Sequence, residues 1–191
     1  MLAAHRISGR AVSNSIERST GLNVRANSVL GARIIYNLPI SGSLGLNIGK
    51  QFRKGDWDWV IMNRGGNDLW LGCGCSKCDR NLIKLVSKGG SSKGATPKLI
   101  KKIRATGAKV IYVGYLRSPG ARSPIEHCRD EGDDLEKRVK PYADTDAGVF
   151  HVSIRDLVPS GDRSFHGADM IHPSIKGSRE IGKRVAKVIN K

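Results

Sequence analysis

Aromatic residues are scarce in this chain: three Trp, four Tyr and three Phe make up 5% of its 191 residues. That scarcity, with no helix-turn-helix pattern and no zinc-finger spacing, argues against an aromatic RNA platform or a specific DNA-reading module. No run of eighteen apolar residues occurs, so no helical membrane span is expected. The longest uncharged stretch, 34–49, is broken by Pro39, Gly42, Gly45 and Gly49 and reads as a loop. No signal peptide is visible, because His5 and Arg6 interrupt what would be its apolar region. Internal repeats and low-complexity tracts are missing too. Acidic residues are in deficit: 33 Lys and Arg against 17 Asp and Glu leave a formal charge of +16. Such a field favours anionic partners. The cations are nevertheless spread over nearly every segment, with only short pairs such as Lys101-Lys102 and Lys183-Arg184. An anionic surface or substrate is therefore the inference, and specific nucleic-acid binding is not.

What remains has the composition of a folded protein, 39% hydrophobic and 26% charged, at a length suited to one sizeable domain spanning 1–191. Val12 and Ile16, four apart and followed by Gly21, predict a helix over 10–20. Residues 22–30 are a short strand candidate. The stretch Trp57 to Trp70 reads as a buried strand centred on Val60, Ile61 and Met62, then a Gly65-Gly66 exit into a loop carrying Asn67 and Asp68. A modest helix is expected over 81–87. Thr96 and Pro97 predict an N-cap and first helical position, with Leu99, Ile100 and Ile103 as the apolar stripe and Gly107 as the stop. Residues 109–115 and 148–154 are strands; 134–140 is helical up to Pro141. A last helix over 174–189 places Ile181, Val185, Val188 and Ile189 on one face. Strands alternating with helices imply a parallel sheet covered on both sides. The alternation begins on a helix, with no strand ahead of it.

Chemistry concentrates in two places. Asp169 stands three residues ahead of His172, so its carboxylate can bend back to Nδ1 and leave Nε2 as a base. About a hundred residues upstream, Gly65-Gly66-Asn67-Asp68 follows the end of a strand, where ligands bind in open parallel sheets. Together these blocks resemble the SGNH hydrolases, or GDSL family, over essentially the whole chain. The family's Gly-x-Asn-Asp block is matched by Gly65, Gly66, Asn67 and Asp68, and its Asp-x-x-His block by Asp169 and His172. Its single loop glycine is matched by Gly31 in SVLGARI. The resemblance implies a flavodoxin-like three-layer α/β/α fold and hydrolysis of an ester without a cofactor. His172 would be the general base and Asp169 its orienter, with Asn67 and the Gly31 amide as oxyanion donors.

The family's Gly-Asp-Ser block, which carries the nucleophile, is not found in these residues, and neither is a Gly-x-Ser-x-Gly elbow. Ser8, Ser13, Ser15 and Ser28 are available, but none has a strand behind it. The opening MLAAHRISGRAV resembles the segment that follows the nucleophile in bacterial members. The expectation is that the serine lies upstream of Met1, at the end of a central first strand. Without that strand, five or six buried side chains at about 1.5–3 kcal/mol each are lost. That is comparable to a whole domain's stability of about 5–15 kcal/mol, so the chain alone should fold poorly. A second reading is an inactive relative that binds an anionic partner.

Cys73, Cys75 and Cys78 crowd one loop and Cys128 follows a later strand. Two disulfides are the leading expectation, with structural zinc and free thiols as alternatives. Disulfides would imply an oxidising compartment, periplasmic or secreted. Trp57, Trp59 and Trp70 are expected to pack in the core rather than form a substrate platform. Arg117 and Arg122 either face an anionic or sugar substrate or are solvated loop charges. The ester, small-molecule or polymer-linked, and the oligomeric state are left open.

Overall fold

The computed structural model describes residues 4–89, 93–120 and 122–191; the opening 1–3 lies outside them. Its sheet contains three parallel strands in the order β1-β2-β3: β1 (Trp59–Asn63), β2 (Lys109–Val113) and β3 (Val149–Val152). Trp59 pairs with Lys109 and Asn63 with Val113, while Val110 pairs with Val149, so the carboxyl ends of all three strands lie together. Alternation along β2 decides the layers. Val110 and Tyr112 enter one apolar core, and Ile111 and Val113 enter another on the opposite face. Burying both faces requires helices on both, giving the three-layer α/β/α arrangement.

The second core is closed by α1 (Val12–Thr20) and α8 (Ile175–Ile189). Val12 and Ile16 of α1 meet Ile181 and Val185 of α8, all essentially inaccessible to solvent. A side chain at Gly182 would strike Ser15, so this glycine sets how closely the helices approach. The Ser15 hydroxyl then reaches the Arg179 carbonyl at 2.9 Å. Ser174 caps α8 by accepting from the Gly177 amide at 3.1 Å, as its position before the apolar stripe predicts.

The first core is closed by α4 (Gly66–Cys73), α5 (Asp79–Leu85), α6 (Ala95–Arg104) and α7 (Arg129–Asp144). Several local expectations are corrected here. Helix α6 starts at Ala95 with Gly94 as N-cap, so Thr96 is not the cap. Thr96 and Pro97 are buried on the core, and that packing overrides the local capping preference. Helix α7 runs through Pro141 to Asp144 instead of stopping. Proline removes the donor to the Lys137 carbonyl, and Lys137 is exposed, so water can take that carbonyl. The 34–49 stretch is not an open loop. It winds through α2 (Pro39–Ser41), a π-helical turn (Gly42–Leu46) and α3 (Ile48–Gln51).

Residues 22–30 do not form a strand. They run without sheet pairing along the far wall of a cavity of about 780 Å³, and every residue from Trp57 to Asn67 lines the wall opposite. A strand needs a hydrogen-bonding neighbour about 4.8 Å away, and the cavity separates this segment from β1. The same cavity is bounded by Val12 and Ile16 from one face of the sheet and by Leu99 and Ile103 from the other. Val60 and Ile61 of β1 are consequently only half-buried, whereas Val110 to Val113 of β2 are fully enclosed.

The four cysteines form two disulfides, Cys73–Cys78 and Cys75–Cys128, with Cα atoms 5.5 and 4.8 Å apart. Their sulfurs are therefore not available as zinc thiolates. The second bridge closes a 53-residue separation and fastens the start of α7 to the end of α4; the first closes only five. Loop entropy assigns about 4 kcal/mol to the long bridge and about 2 kcal/mol to the short one. Removing Cys75 and Cys128 as a pair is thus expected to lower the denaturant midpoint roughly twice as far as removing Cys73 and Cys78. Urea titration of the two double-serine variants checks this.

Candidate functional site

The carboxyl end of β1 is tied to β2 by Asn63, whose amide donates to the Val113 and Gly114 carbonyls at 2.8 and 2.7 Å. The chain then turns at Gly65, with φ of 96°, where a side chain would also collide with Leu135 of α7. Asn67 and Asp68 lie in the first turn of α4 rather than in a loop. The Gly-Gly exit is short enough for the helix to start at once, so both side chains are held by helical backbone. Asn67 donates one amide hydrogen to the Ala32 carbonyl at 3.0 Å and keeps a second for a ligand. The buried Asp68 carboxylate accepts from the Ile34 and Ile35 amides at 3.0 and 2.8 Å. Burial pushes its pKa up, against those two amides and the neighbouring guanidinium groups of Arg33 and Arg64. Asp68 thus holds the segment after Gly31 against the helix bearing Asn67. The sequence block contained Asp68, but nothing in its spacing revealed this task.

Gly31 sits in an exposed turn with φ of 75°. It is one residue from the carbonyl that Asn67 grips, yet it does not line the cavity. Asn67 and His172 both do, and they share it with Tyr115 and Ile171.

His172 is presented by a tight loop ahead of α8. The loop is closed by the Gly167 amide donating to the His172 carbonyl at 2.8 Å and by a bridge between His166 and Pro173. Met170, buried and left-handed with φ of 56°, carries the turn, and the Ser123 hydroxyl holds its carbonyl at 2.8 Å. One oxygen of Asp169 accepts from the Ile171 and His172 amides at 3.0 Å each; the other meets His172 Nδ1 at 2.6 Å. Partial burial opposes ionisation of Asp169, but the imidazole and the two amides outweigh it and pull the pKa down to about 2. An ionised Asp169 can only accept, so a proton sits on Nδ1, and in the neutral imidazole Nε2 is the nitrogen with the lone pair.

The remaining candidates fall elsewhere. Arg117 is no solvated loop charge and does not line the cavity: it is buried, ion-paired with Asp133, and donates to the Arg129 carbonyl at 2.7 Å. Arg122 is exposed. Trp57, Trp59 and Trp70 are half-buried; Trp57 and Trp70 pack on the first core and Trp59 on the second, and all three touch the cavity. Of the serines, Ser13 and Ser28 line the cavity, Ser15 is buried in the helix contact and Ser8 is exposed.

Two further histidines, the half-buried His151 and the buried His166, lie outside the cavity lining. Burial lowers the pKa of His151 on β3 despite Glu136 at 3.7 Å, and lowers that of His166 despite Asp169. A histidine with a depressed folded pKa binds its proton more readily once unfolded. Stability is therefore expected to fall as pH drops below about 6.5, where the unfolded chain takes up protons the native state refuses. Urea midpoints at about pH 7.5 and about pH 5.5 test this; an unchanged midpoint would contradict it.

No curated protein matches the sequence. Among solved structures, the chain is similar to a protein assigned as an SGNH hydrolase from Slackia heliotrinireducens. The TM-score is 0.59 at 16% identity, over 97% of this chain and 94% of that one. A protein from Streptococcus pneumonia assigned as a platelet activating factor aligns with TM-score 0.54 at 13% identity, over 75% of this chain. The alignment spans 64% of that protein's length. These likenesses concern the fold. Residues 9–180 match the model of the GDSL-like Lipase/Acylhydrolase family, a span that contains Gly31, Asn67, Asp169 and His172. With the layered parallel sheet and the Asp169–His172 pair behind it, that match means the chain belongs to the GDSL-like lipase/acylhydrolase family.

Proposed function

We propose that residues 1–191 belong to a single ester hydrolase domain working by a Ser-His-Asp mechanism, with the serine supplied by a strand preceding Met1. The observation that carries this is the 2.6 Å contact between Asp169 and His172 Nδ1, on a cavity that Asn67 shares. His172 Nε2 would remove the serine proton as the oxygen attacks the ester carbonyl. The Asn67 amide would stabilise the developing oxyanion, joined by the Gly31 N–H only if that exposed turn moves onto the cavity. The C–O bond then breaks, the leaving alcohol takes the proton from His172, and water activated by the same nitrogen releases the acid.

The cavity beside β1 supports the upstream strand. It reaches both faces of the sheet, as the alternating side chains of one more strand require, and His172 is part of its lining. Ala4 is buried and His5 Nε2 meets the Pro173 carbonyl at 2.9 Å, so the first described residues lie against the histidine loop. The disulfides are compatible with a periplasmic or secreted protein.

The test uses protein extended upstream in its own reading frame. Hydrolysis of p-nitrophenyl acetate is expected, along with a fluorophosphonate adduct that peptide mapping assigns to a serine before Met1. Extended protein that neither hydrolyses esters nor takes up the probe, but holds polyanions with steep salt dependence, would instead establish the inactive binding protein.

A further inference from the structure

The segment 22–55 differs from the rest of the surface in two ways at once. It contains no aspartate or glutamate, yet holds Arg25, Arg33, Lys50, Arg53 and Lys54. It also supplies six of the ten exposed large apolar side chains among the described residues. Three of these crowd its tip: Leu38 is 63% exposed, Ile40 79% and Leu44 77%. Single exposed apolar residues are ordinary, but three within seven positions are not.

The tip is built rather than loose. Its neck is closed by the Arg33 amide on the Leu46 carbonyl and the Ile48 amide on the Arg33 carbonyl, both at 2.9 Å. Within it, Tyr36 Oη meets Ser41 Oγ at 2.8 Å and the Asn47 amide donates to the Tyr36 carbonyl at 3.1 Å. Asp68 anchors the base through Ile34 and Ile35. Holding the apolar side chains outward in one conformation reduces the ordering cost of inserting them elsewhere. The cations stand beside them: Lys50 Nζ donates to Ser43 Oγ at 3.2 Å, and the Arg33 guanidinium lies 5.1 Å from the centre of the Tyr36 ring.

An apolar tip with a collar of cations and no carboxylate matches one environment well, a layer of anionic headgroups above hydrocarbon. We propose that this segment docks the protein on an anionic lipid bilayer, with Leu38, Ile40 and Leu44 entering the acyl boundary and Arg33, Lys50 and Arg53 on headgroup phosphates. The net charge of +16 adds long-range attraction to the same surface. Ile48 and Phe52, just beyond the tip, line the cavity, so docking would bring its mouth towards the interface.

Co-sedimentation of the upstream-extended protein with vesicles tests this without any ester turnover, so its outcome is independent of whether hydrolysis is found. Binding to vesicles of equal phosphatidylglycerol and phosphatidylcholine is expected to exceed binding to pure phosphatidylcholine at least tenfold, and to weaken with salt. Ile40→Ser with Leu44→Ser should reduce it at least tenfold, and so should Lys50→Glu with Arg53→Glu, which alters exposed side chains only. Circular dichroism checks that each variant keeps its helices; if the apolar pair unfolds, the charge-reversed pair decides. No preference for the anionic vesicles overturns the proposal. So does undiminished binding by a folded apolar variant, or a tip that pairs two copies of the chain in sedimentation without binding lipid.

Discussion

Leucine in place of Arg64 is expected to make the protein more stable, by about 1–4 kcal/mol. Arg64 follows β1 directly and is 4% exposed. Its Nε and Nη1 have no hydrogen-bond partner among the described residues, and its Nη2 lies against the Met62 sulfur. Burial pulls the guanidinium down to about 10, although Tyr112 and Asp68 favour the charge. Asp68 is no full counter-ion, since both of its oxygens already serve the Ile34 and Ile35 amides. A buried charge without a dedicated partner costs more than an apolar side chain of similar size at that position. For a domain of this length about 1 kcal/mol moves the melting temperature by about 2–4 °C, so a rise of several degrees is expected. The urea midpoint should rise with an unchanged slope. Arg64 also lines the cavity proposed to hold the upstream strand, so a fall in stability of the extended protein would mean that this strand gives the guanidinium its partner.

Alanine at position 172 should remove on the order of 10⁶-fold of kcat from the upstream-extended protein, because His172 is the only imidazole among the described residues that line the cavity. Asn67→Ala should cost about 10²–10³-fold, the loss of one oxyanion donor. Asp169→Asn should cost about 10⁴-fold while leaving the loop intact, since an amide would impose the wrong tautomer on His172. The pH dependence separates these roles. Asp169 has a folded pKa depressed to about 2, so its support is complete above the usual carboxylate value near 4 and is lost as pH falls through 2. Any loss of activity between about pH 5 and about pH 7 therefore belongs to a group other than Asp169. Steady-state rates across that range, for wild type and Asp169→Asn, make the comparison. Equal kcat in wild type and His172→Ala would remove the histidine from the mechanism.

Whatever depends on neighbours along the chain was legible in the order of its residues. Two apolar runs with β-branched residues made β1 and β2 recognisable, the spacing of Ile181, Val185 and Val188 made α8 recognisable, and the three-residue step from Asp169 to His172 was enough to predict their contact. Each of these is set within a turn or two of backbone, and distant residues hardly alter it. Whatever depends on who stands opposite was settled by packing. Residues 22–30 had the composition of a strand, but their would-be neighbour β1 lies across a cavity. Thr96 gave up its cap, and Pro141 was tolerated, because burial and exposure around them outweighed local preference. Cys128 chose Cys75 rather than either neighbouring cysteine, Arg117 and Arg64 were carried inside, and Asp68 became the clamp behind Asn67. Burial and pairing across tens of residues are properties of the packed chain, and no local spacing encodes which side chain will be enclosed or by what.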